Sequence, residues 1–121
     1  MKTPKRHLWR NCDLRDFYDL YNHLYFGGRL PPLTACEFKN LGRYLGHTSR
    51  FRQKNRRSKN DTFGIFISKE LQVSRRLWAG TMLHEMVHVE QRNKYSCSLR
   101  GHTFNRRMVE LAVSGAFDGL W

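Results

Sequence analysis

Two histidines four residues apart, with a glutamate directly after the first, place the strongest constraint on how this chain can fold. His84, Glu85 and His88 form the pattern H-E-x-x-H. On an α-helix, residues four apart lie on the same face about one turn apart, so both imidazoles can reach one metal ion. Glu85 then lies beside the metal, where a carboxylate can accept a proton from a zinc-bound water. The pattern therefore predicts a helix that carries two zinc ligands and the general base of a metallopeptidase.

Apolar residues around this motif recur at helical spacing and extend the helix in both directions. Ser74 is a candidate N-cap, and the chain becomes basic and polar from Gln91 to Lys94. The spacing predicts that the motif helix buries a broad apolar face against a core. The apolar positions are Leu77, Trp78, Met82, Leu83, Met86, Val87 and Val89.

The first part of the chain predicts another helix, which ends abruptly and is followed by an extended segment. Residues 11–25 start with capping side chains and place apolar residues at steps of three and four. Gly27 and Gly28 accept positive φ, and Pro31 and Pro32 then prevent the helix from continuing. We expect the helix to end at the glycine pair and an extended segment to follow the prolines.

Three segments between the two predicted helices are richer in β-formers and aromatic residues. They are Leu33–Lys39, Tyr44–Phe51 and Thr62–Ser68, and they predict a three-stranded sheet. The polar connection at residues 53–61 suits a solvent-exposed hairpin loop between the last two strands.

A last helix is predicted after Thr103, which is a candidate cap, and it should stop near Ser114 and Gly115 before a partly apolar tail. The element order is then α, β, β, β, α, α, which describes an α+β fold with a small three-stranded sheet and about three helices in one domain, residues 1–121. The buried stripe of the last helix is expected to contain Phe104, Met108, Leu111 and Ala112.

Size and cysteine content limit the class of protein. At 121 residues, 40% of them hydrophobic, the chain suits one domain with a modest core. It has no run of 18 apolar residues, and no apolar stretch follows its basic N-terminus. Cys12, Cys36 and Cys97 are odd in number and far apart, which favours reduced thiols. We therefore expect a cytoplasmic protein, neither secreted nor in a membrane, associated with the nucleoid or with a host cytoplasm if the source is a phage.

A catalytic zinc site usually has three protein ligands and one open position for water, so the two motif histidines need a third partner. His102 is the candidate because it follows the motif helix after a short loop, and Gly101 permits a tight turn there. The alternative for His102 is a surface histidine at a helix start, and His47 in the second predicted strand is the reserve ligand. We expect one Zn²⁺ per chain, and a neutral three-histidine shell would favour ionisation of the bound water.

The sequence does not assign single roles to the residues around these candidate ligands. Glu90 and Gln91 either orient a ligand imidazole through its free N–H or remain solvated on the helix. The residue that stabilises the oxyanion is left open, with Arg92, Lys94 and Tyr95 all close in the chain.

The formal net charge of +12 favours an anionic partner such as nucleic acid. A basic cluster lies at the end of the second predicted strand and in the loop after it, where phosphate binding competes with the simpler interpretation of a solvated loop. Phe51 is a candidate for stacking on unpaired bases, whereas Phe63 is favoured as a core residue. Because no sequence-specific DNA motif is present, we expect single-stranded DNA or binding without base readout. The cluster consists of Arg50, Arg52, Lys54, Arg56, Arg57 and Lys59.

Four blocks of the sequence resemble the SprT-like zinc metallopeptidases, the family that includes the Spartan protease. The first block contains the aromatic-Gly-Gly-x-Leu-Pro pattern that follows the opening helix, and the third contains H-E-x-x-H. In chain order the blocks are residues 20–31, 64–68, 81–91 and 100–104. The ordered combination is far more specific than the pentapeptide, which many zincins share.

The resemblance implies a zincin-like fold and proteolysis of proteins crosslinked to DNA. It also implies that His102 is delivered as the third zinc ligand by the last block. One departure is that Thr103 alone separates His102 from Phe104, where the family usually has a longer spacing. Larger members carry additional DNA-binding and partner-binding segments, so this chain resembles a minimal catalytic core.

The sequence thus predicts a zinc-dependent endopeptidase that cleaves DNA-bound or DNA-crosslinked proteins, with Glu85 as the general base. Two other functions remain open. One is a DNA-binding module in which the zincin fold is a non-proteolytic scaffold. The other is a protease directed at one specific partner protein, with the positive charge recognising an acidic surface on that partner.

Overall fold

The computed structural model describes residues 13–51, 62–92 and 104–118, and these form an α+β structure of three helices and one three-stranded sheet. A 3-10 turn, Lys69–Val73, joins the last strand to the motif helix. The predicted element order is confirmed within these ranges. The elements are α1 Leu14–Tyr25, β1 Leu33–Lys39, β2 Gly46–Phe51, β3 Thr62–Ser68, α2 Arg75–Arg92 and α3 Phe104–Val113.

Local side chains fix both ends of α1. Asp13 is the N-cap, and its Oδ1 accepts a hydrogen bond from the backbone N–H of Asp16 at 2.8 Å. At the other end, Gly27 and Gly28 have positive φ of 61° and 72°, as the glycine pair predicted. Asn22 then holds the exit, because its side chain both donates to the carbonyl of Leu30 and accepts from its N–H.

The strand order in the sheet is β1-β3-β2, with β3 in the centre. β2 pairs antiparallel with β3, and β1 pairs parallel with β3. The central position of β3 agrees with its sequence, since five of its seven residues are buried and β-branched and aromatic residues favour a packed strand.

The two faces of the sheet differ in their exposure to solvent. The inner face, which carries Thr48, Ile65 and Ile67, packs against the helices, and all three residues are buried. The outer face carries His47, Phe51 and Phe66 and has more exposure. The register places His47 directly opposite Phe66 and Thr48 directly opposite Ile65, so neighbouring residues of β2 lie on opposite faces.

The core lies between the inner face and the helices. Phe17 of α1 stacks on Tyr21 and meets Trp78 of α2 edge-on, with ring centroids 5.5 Å apart. Phe63 is fully buried, which confirms its predicted role as a core residue. Cys36 is half-buried, and burial raises the pKa of its thiol to about 12; Cys12 and Cys97 lie outside the described residues.

Two sequence predictions about burial and one about the start of a strand are wrong. Leu77 is 54% exposed because it lies on the solvent side of α2. Tyr44 and Leu45 are also exposed and precede the strand, which begins at Gly46. In α3, Ala112 is exposed and Arg107 is buried in its place beside Leu111, because carboxylate and carbonyl partners in the interior bind the guanidinium group.

Within the described ranges, no helix combines the length and the apolar character needed to cross a membrane.

Candidate metal centre

His84 and His88 lie one turn apart on α2 and bring their imidazoles together. The two Nε2 atoms are 3.3 Å apart. Two nitrogens bound to a tetrahedral zinc at about 2.0–2.1 Å are separated by about 3.3–3.4 Å, so the observed spacing fits two ligands of one zinc ion. In the metal-free chain the same distance also permits one imidazole to donate a hydrogen bond to the other. The spacing therefore lets both nitrogens reach one metal ion without a change of either rotamer.

Phe104, the first residue of α3, contacts both imidazoles. Its ring stacks on His88 at 4.5 Å between centroids and meets His84 at 4.6 Å at a steeper angle. These contacts restrict rotation of both histidine side chains and cover part of the site with apolar surface. Because Phe104 belongs to α3, the orientation of the two candidate ligands depends on how α3 packs against α2.

The protonation of His88 also favours metal binding. Burial lowers the pKa of His88, the positive charges of His84 and Arg92 act in the same direction, and Glu85 acts against them. A histidine must be neutral at the coordinating nitrogen to bind a metal ion. The lowered pKa of His88 therefore favours the neutral, metal-binding form of the side chain.

Glu85 is buried beside the histidine pair, and β2 fixes its carboxylate. Thr48 Oγ1 donates a hydrogen bond to Glu85 Oε1 at 2.6 Å, a length typical of a hydroxyl bound to a carboxylate. Glu85 Oε2 faces Gly46, where an added Cβ would lie 2.8 Å from this oxygen. A larger residue at position 46 would thus collide with the carboxylate, so glycine allows β2 to approach Glu85 closely.

A cleft of about 430 Å³ opens next to His84 and Glu85. Its walls are mostly apolar and come from α2, from α3 with the turn after it, and from the start of β2. A candidate base and a candidate metal ligand therefore border a space that is large enough for part of a peptide. The lining residues are Leu45, Gly46, Gly80, Thr81, His84, Glu85, Met108 and Phe117.

The third candidate ligand, His102, lies outside the described residues, two positions before Phe104 in the chain. In the described ranges, no group of three His, Cys, Asp or Glu side chains is placed to hold a metal ion. The reserve candidate His47 does not join the histidine pair. It is exposed on the outer face and stacks on Phe66, whereas its neighbour Thr48 points toward Glu85.

Glu90 has a structural environment that sequence reasoning missed. Its two carboxylate oxygens bind arginines, with Arg107 Nε at 2.7 Å from Oε1 and Arg29 Nη2 at 3.4 Å from Oε2. Arg107 also donates to the backbone carbonyl of Tyr25 at 2.9 Å. This network, which we call the Glu90 network, joins the end of α1, α2 and α3. Glu90 therefore helps to hold α3 in place, and because it is buried, the alternative in which it stays solvated on the helix is wrong.

The basic cluster is represented by one described residue. Arg50 is exposed in β2 and lies on the same face of the strand as Thr48, because the two are separated by one position. Arg52, Lys54, Arg56, Arg57 and Lys59 lie outside the described residues.

Comparisons of this chain with protein-family models, with curated proteins and with solved structures found no match.

Proposed function

We propose that this chain is a zinc-dependent endopeptidase that cleaves DNA-bound or DNA-crosslinked proteins. The observation that carries the proposal is the juxtaposition of His84 and His88, with Nε2 atoms 3.3 Å apart, next to a cleft that is lined by His84 and by the buried Glu85. The sequence adds His102 as the third ligand and the resemblance to SprT-like metallopeptidases.

A zinc ion held by His84, His88 and His102 would lower the pKa of a bound water and polarise the peptide carbonyl. Glu85 has one oxygen bonded to Thr48 and the other directed at Gly46, so the carboxylate is held in one orientation beside the cleft. In this position it accepts the proton of the attacking water and later returns it to the leaving amine. Thr48 acts through Glu85 and is a positioning residue.

The edge of the sheet offers a way to hold an extended substrate. β2 pairs with β3 on one side only within the described ranges, and its first residues border the cleft. Unpaired backbone groups on a strand edge can pair with an extended peptide. Arg92 already donates a hydrogen bond to the carbonyl of Thr48 at 3.1 Å. We therefore expect a substrate peptide to pair with the backbone of β2 on the cleft side of Thr48, near Gly46.

The preference for DNA-associated substrates is based on charge. The net charge of +12 would hold the chain on the phosphate backbone, and its affinity should fall steeply with salt. Two alternatives predict different behaviour. A DNA-binding module with a zincin scaffold would bind zinc and DNA without hydrolysing peptides. A protease for one partner protein would cleave that partner independently of DNA.

The test uses the full chain reconstituted with one equivalent of zinc and a basic DNA-binding protein as the substrate. We expect cleavage that increases when single-stranded DNA is added, stops with a chelator and is absent from Glu85→Gln. Zinc binding without cleavage of free, unfolded or DNA-bound protein would favour the scaffold. Cleavage that nuclease treatment leaves unchanged would favour the partner-directed protease.

A further inference from the structure

The outer face of the sheet, which lies opposite the metal centre, carries a row of aromatic rings. Phe51 is 45% exposed, His47 is exposed and Phe66 is half-buried. A strand that has one face in the core normally carries polar residues on its other face. The ring row is therefore a departure from the usual composition of a solvated sheet face.

The rings form one continuous surface. His47 and Phe66 are directly opposite across β2 and β3, and their rings are nearly parallel, 22° between planes with centroids 6.5 Å apart. Gly64 lies between Phe66 and Phe51, and a Cβ added there would be 3.4 Å from the Cε2 atom of each ring. A side chain at position 64 would crowd both rings, so the glycine keeps the surface flat. We call His47, Phe66 and Phe51 the aromatic row.

Positive charge borders this row. Lys39 of β1 lies on the same face, with its Nζ 4.9 Å from the centroid of the Phe66 ring. The connection from Phe51 to Thr62 lies outside the described residues, and by sequence five of the eight residues from 52 to 59 are Lys or Arg. Glu37, which pairs with Phe66 across β1 and β3, is an acidic side chain on this face. Lys39 and Glu37 offset each other on this face, and the net charge of +12 of the whole chain favours an anionic partner.

We propose that the aromatic row binds the unpaired bases of single-stranded nucleic acid by stacking. Flat aromatic side chains with a lysine beside them, on a chain of strongly positive net charge, match a strand that presents exposed bases and charged phosphates together. A duplex keeps its bases stacked internally and offers the row no base faces, so single strands are favoured. An acidic protein would satisfy the charge but would gain nothing specific from three planar rings. The proposal rests on the DNA-association part of the proposed function and is independent of peptide hydrolysis.

The experiment compares two fluorescent strands of equal length and charge on the zinc-loaded full chain. One is a twelve-residue oligothymidylate, and the other is an abasic strand that keeps the phosphates and lacks the bases. Fluorescence anisotropy gives both affinities at one fixed salt concentration. We expect tighter binding of the oligothymidylate, and we expect Phe51→Ala to weaken that binding by about 5- to 100-fold, the range seen when one stacking residue is lost. Binding of the abasic strand should change less than about twofold.

Matched variants separate stacking from charge and from folding. Phe66→Leu keeps an apolar side chain in the sheet and removes the aromatic ring. It should weaken oligothymidylate binding as Phe51→Ala does, and the leucine avoids the unfolding that an alanine at position 66 could cause. Leu77→Ala removes another exposed apolar side chain, on α2 and away from the aromatic row, and should leave both affinities unchanged. Lys39→Gln should weaken the binding of both strands, and Glu37→Gln should strengthen the binding of both.

Two results would overturn the proposal. One is a wild-type chain that binds the abasic strand as tightly as the oligothymidylate. The other is an equal loss on both strands in Phe51→Ala and Phe66→Leu. Cleavage of a DNA-free protein, measured on the same samples, tests peptide hydrolysis separately. The stacking proposal and the peptidase proposal can therefore fail independently of each other.

Discussion

The hydroxyl of Thr48 lies 2.6 Å from Oε1 of Glu85, and this bond joins an edge strand to the residue between the two histidines. Both partners are buried, at 5% exposure each. The bond therefore determines where the second carboxylate oxygen points, and it makes the geometry of the proposed base a property of the sheet as well as of α2.

Removing this hydroxyl should impair catalysis without releasing zinc. Thr48→Val keeps the shape and loses the donor, and we expect kcat to fall by about 10- to 100-fold, as is usual when a group that orients an active-site residue is lost. Thr48→Ser keeps the donor and should retain most of the activity. The measurement is kcat on an unfolded protein substrate, together with zinc affinity by chelator competition. Equal kcat values for the valine and serine variants would show that the bond has no positioning role.

A methyl group at position 46 should displace Glu85. In Gly46→Ala the new Cβ would lie 2.8 Å from both Glu85 Oε2 and Thr81 Cγ2, so the strand or the carboxylate must move. We expect a lower melting temperature and a lower kcat. Gly80→Ala is the matched glycine substitution, because a Cβ there meets nothing within 4 Å, and it should stabilise α2 by about 0.5–1 kcal/mol. A Gly46→Ala chain that melts at or above the wild-type temperature would contradict the close approach of β2.

The Glu90 network should contribute strongly to stability because its central pair is buried. Glu90→Gln or Arg107→Met leaves a buried charge without its nearest partner, which costs up to about 3–5 kcal/mol in comparable pairs. Glu110→Gln removes the charge from the longer contact to Arg107 at 3.5 Å, where the carboxylate is 37% exposed, and should cost less than about 1 kcal/mol. Urea unfolding measures all three. If Glu90→Gln and Glu110→Gln lower the free energy of unfolding by similar amounts, the buried pair contributes no more to stability than the exposed contact.

The stability of the metal-free chain should decrease in mild acid. Burial lowers the pKa of His88 in the folded state, and the unfolded value is about 6.5. Between these two values the unfolded chain binds the proton more readily, so the free energy of unfolding falls as the pH drops below about 6.5. His88→Gln should show a smaller decrease over the same range in thermal unfolding experiments. If the wild type and this variant have identical pH dependence, the imidazole is not protected from protonation.

Local patterns were enough to predict the elements but not their arrangement. Asp13 and the pair Gly27 and Gly28 mark the ends of α1 through backbone capping, which depends on neighbouring residues alone. The central position of β3 and its parallel pairing with β1 depend on contacts between distant segments. No local pattern reports such pairings.

The same distinction applies to the candidate site. His84, Glu85 and His88 were found because a helix brings residues four apart together. Thr48 was missed because its partner is 37 positions away, and a threonine in a strand is otherwise an ordinary β-former. Arg107 was missed for a similar reason, since an arginine in a helix is expected to face solvent unless a buried carboxylate such as Glu90 is known to lie opposite.

The coordination of zinc tests the central claim most directly. We propose that His84, His88 and His102 bind one zinc ion and leave one position open, and X-ray absorption at the zinc edge reports the number and type of ligands. For the chain with one equivalent of zinc we expect three imidazole nitrogens and one oxygen at about 2.0–2.1 Å, with one nitrogen lost in His88→Ala and one in His102→Ala. Sulfur ligands, or a spectrum that neither substitution changes, would contradict a metal centre on α2.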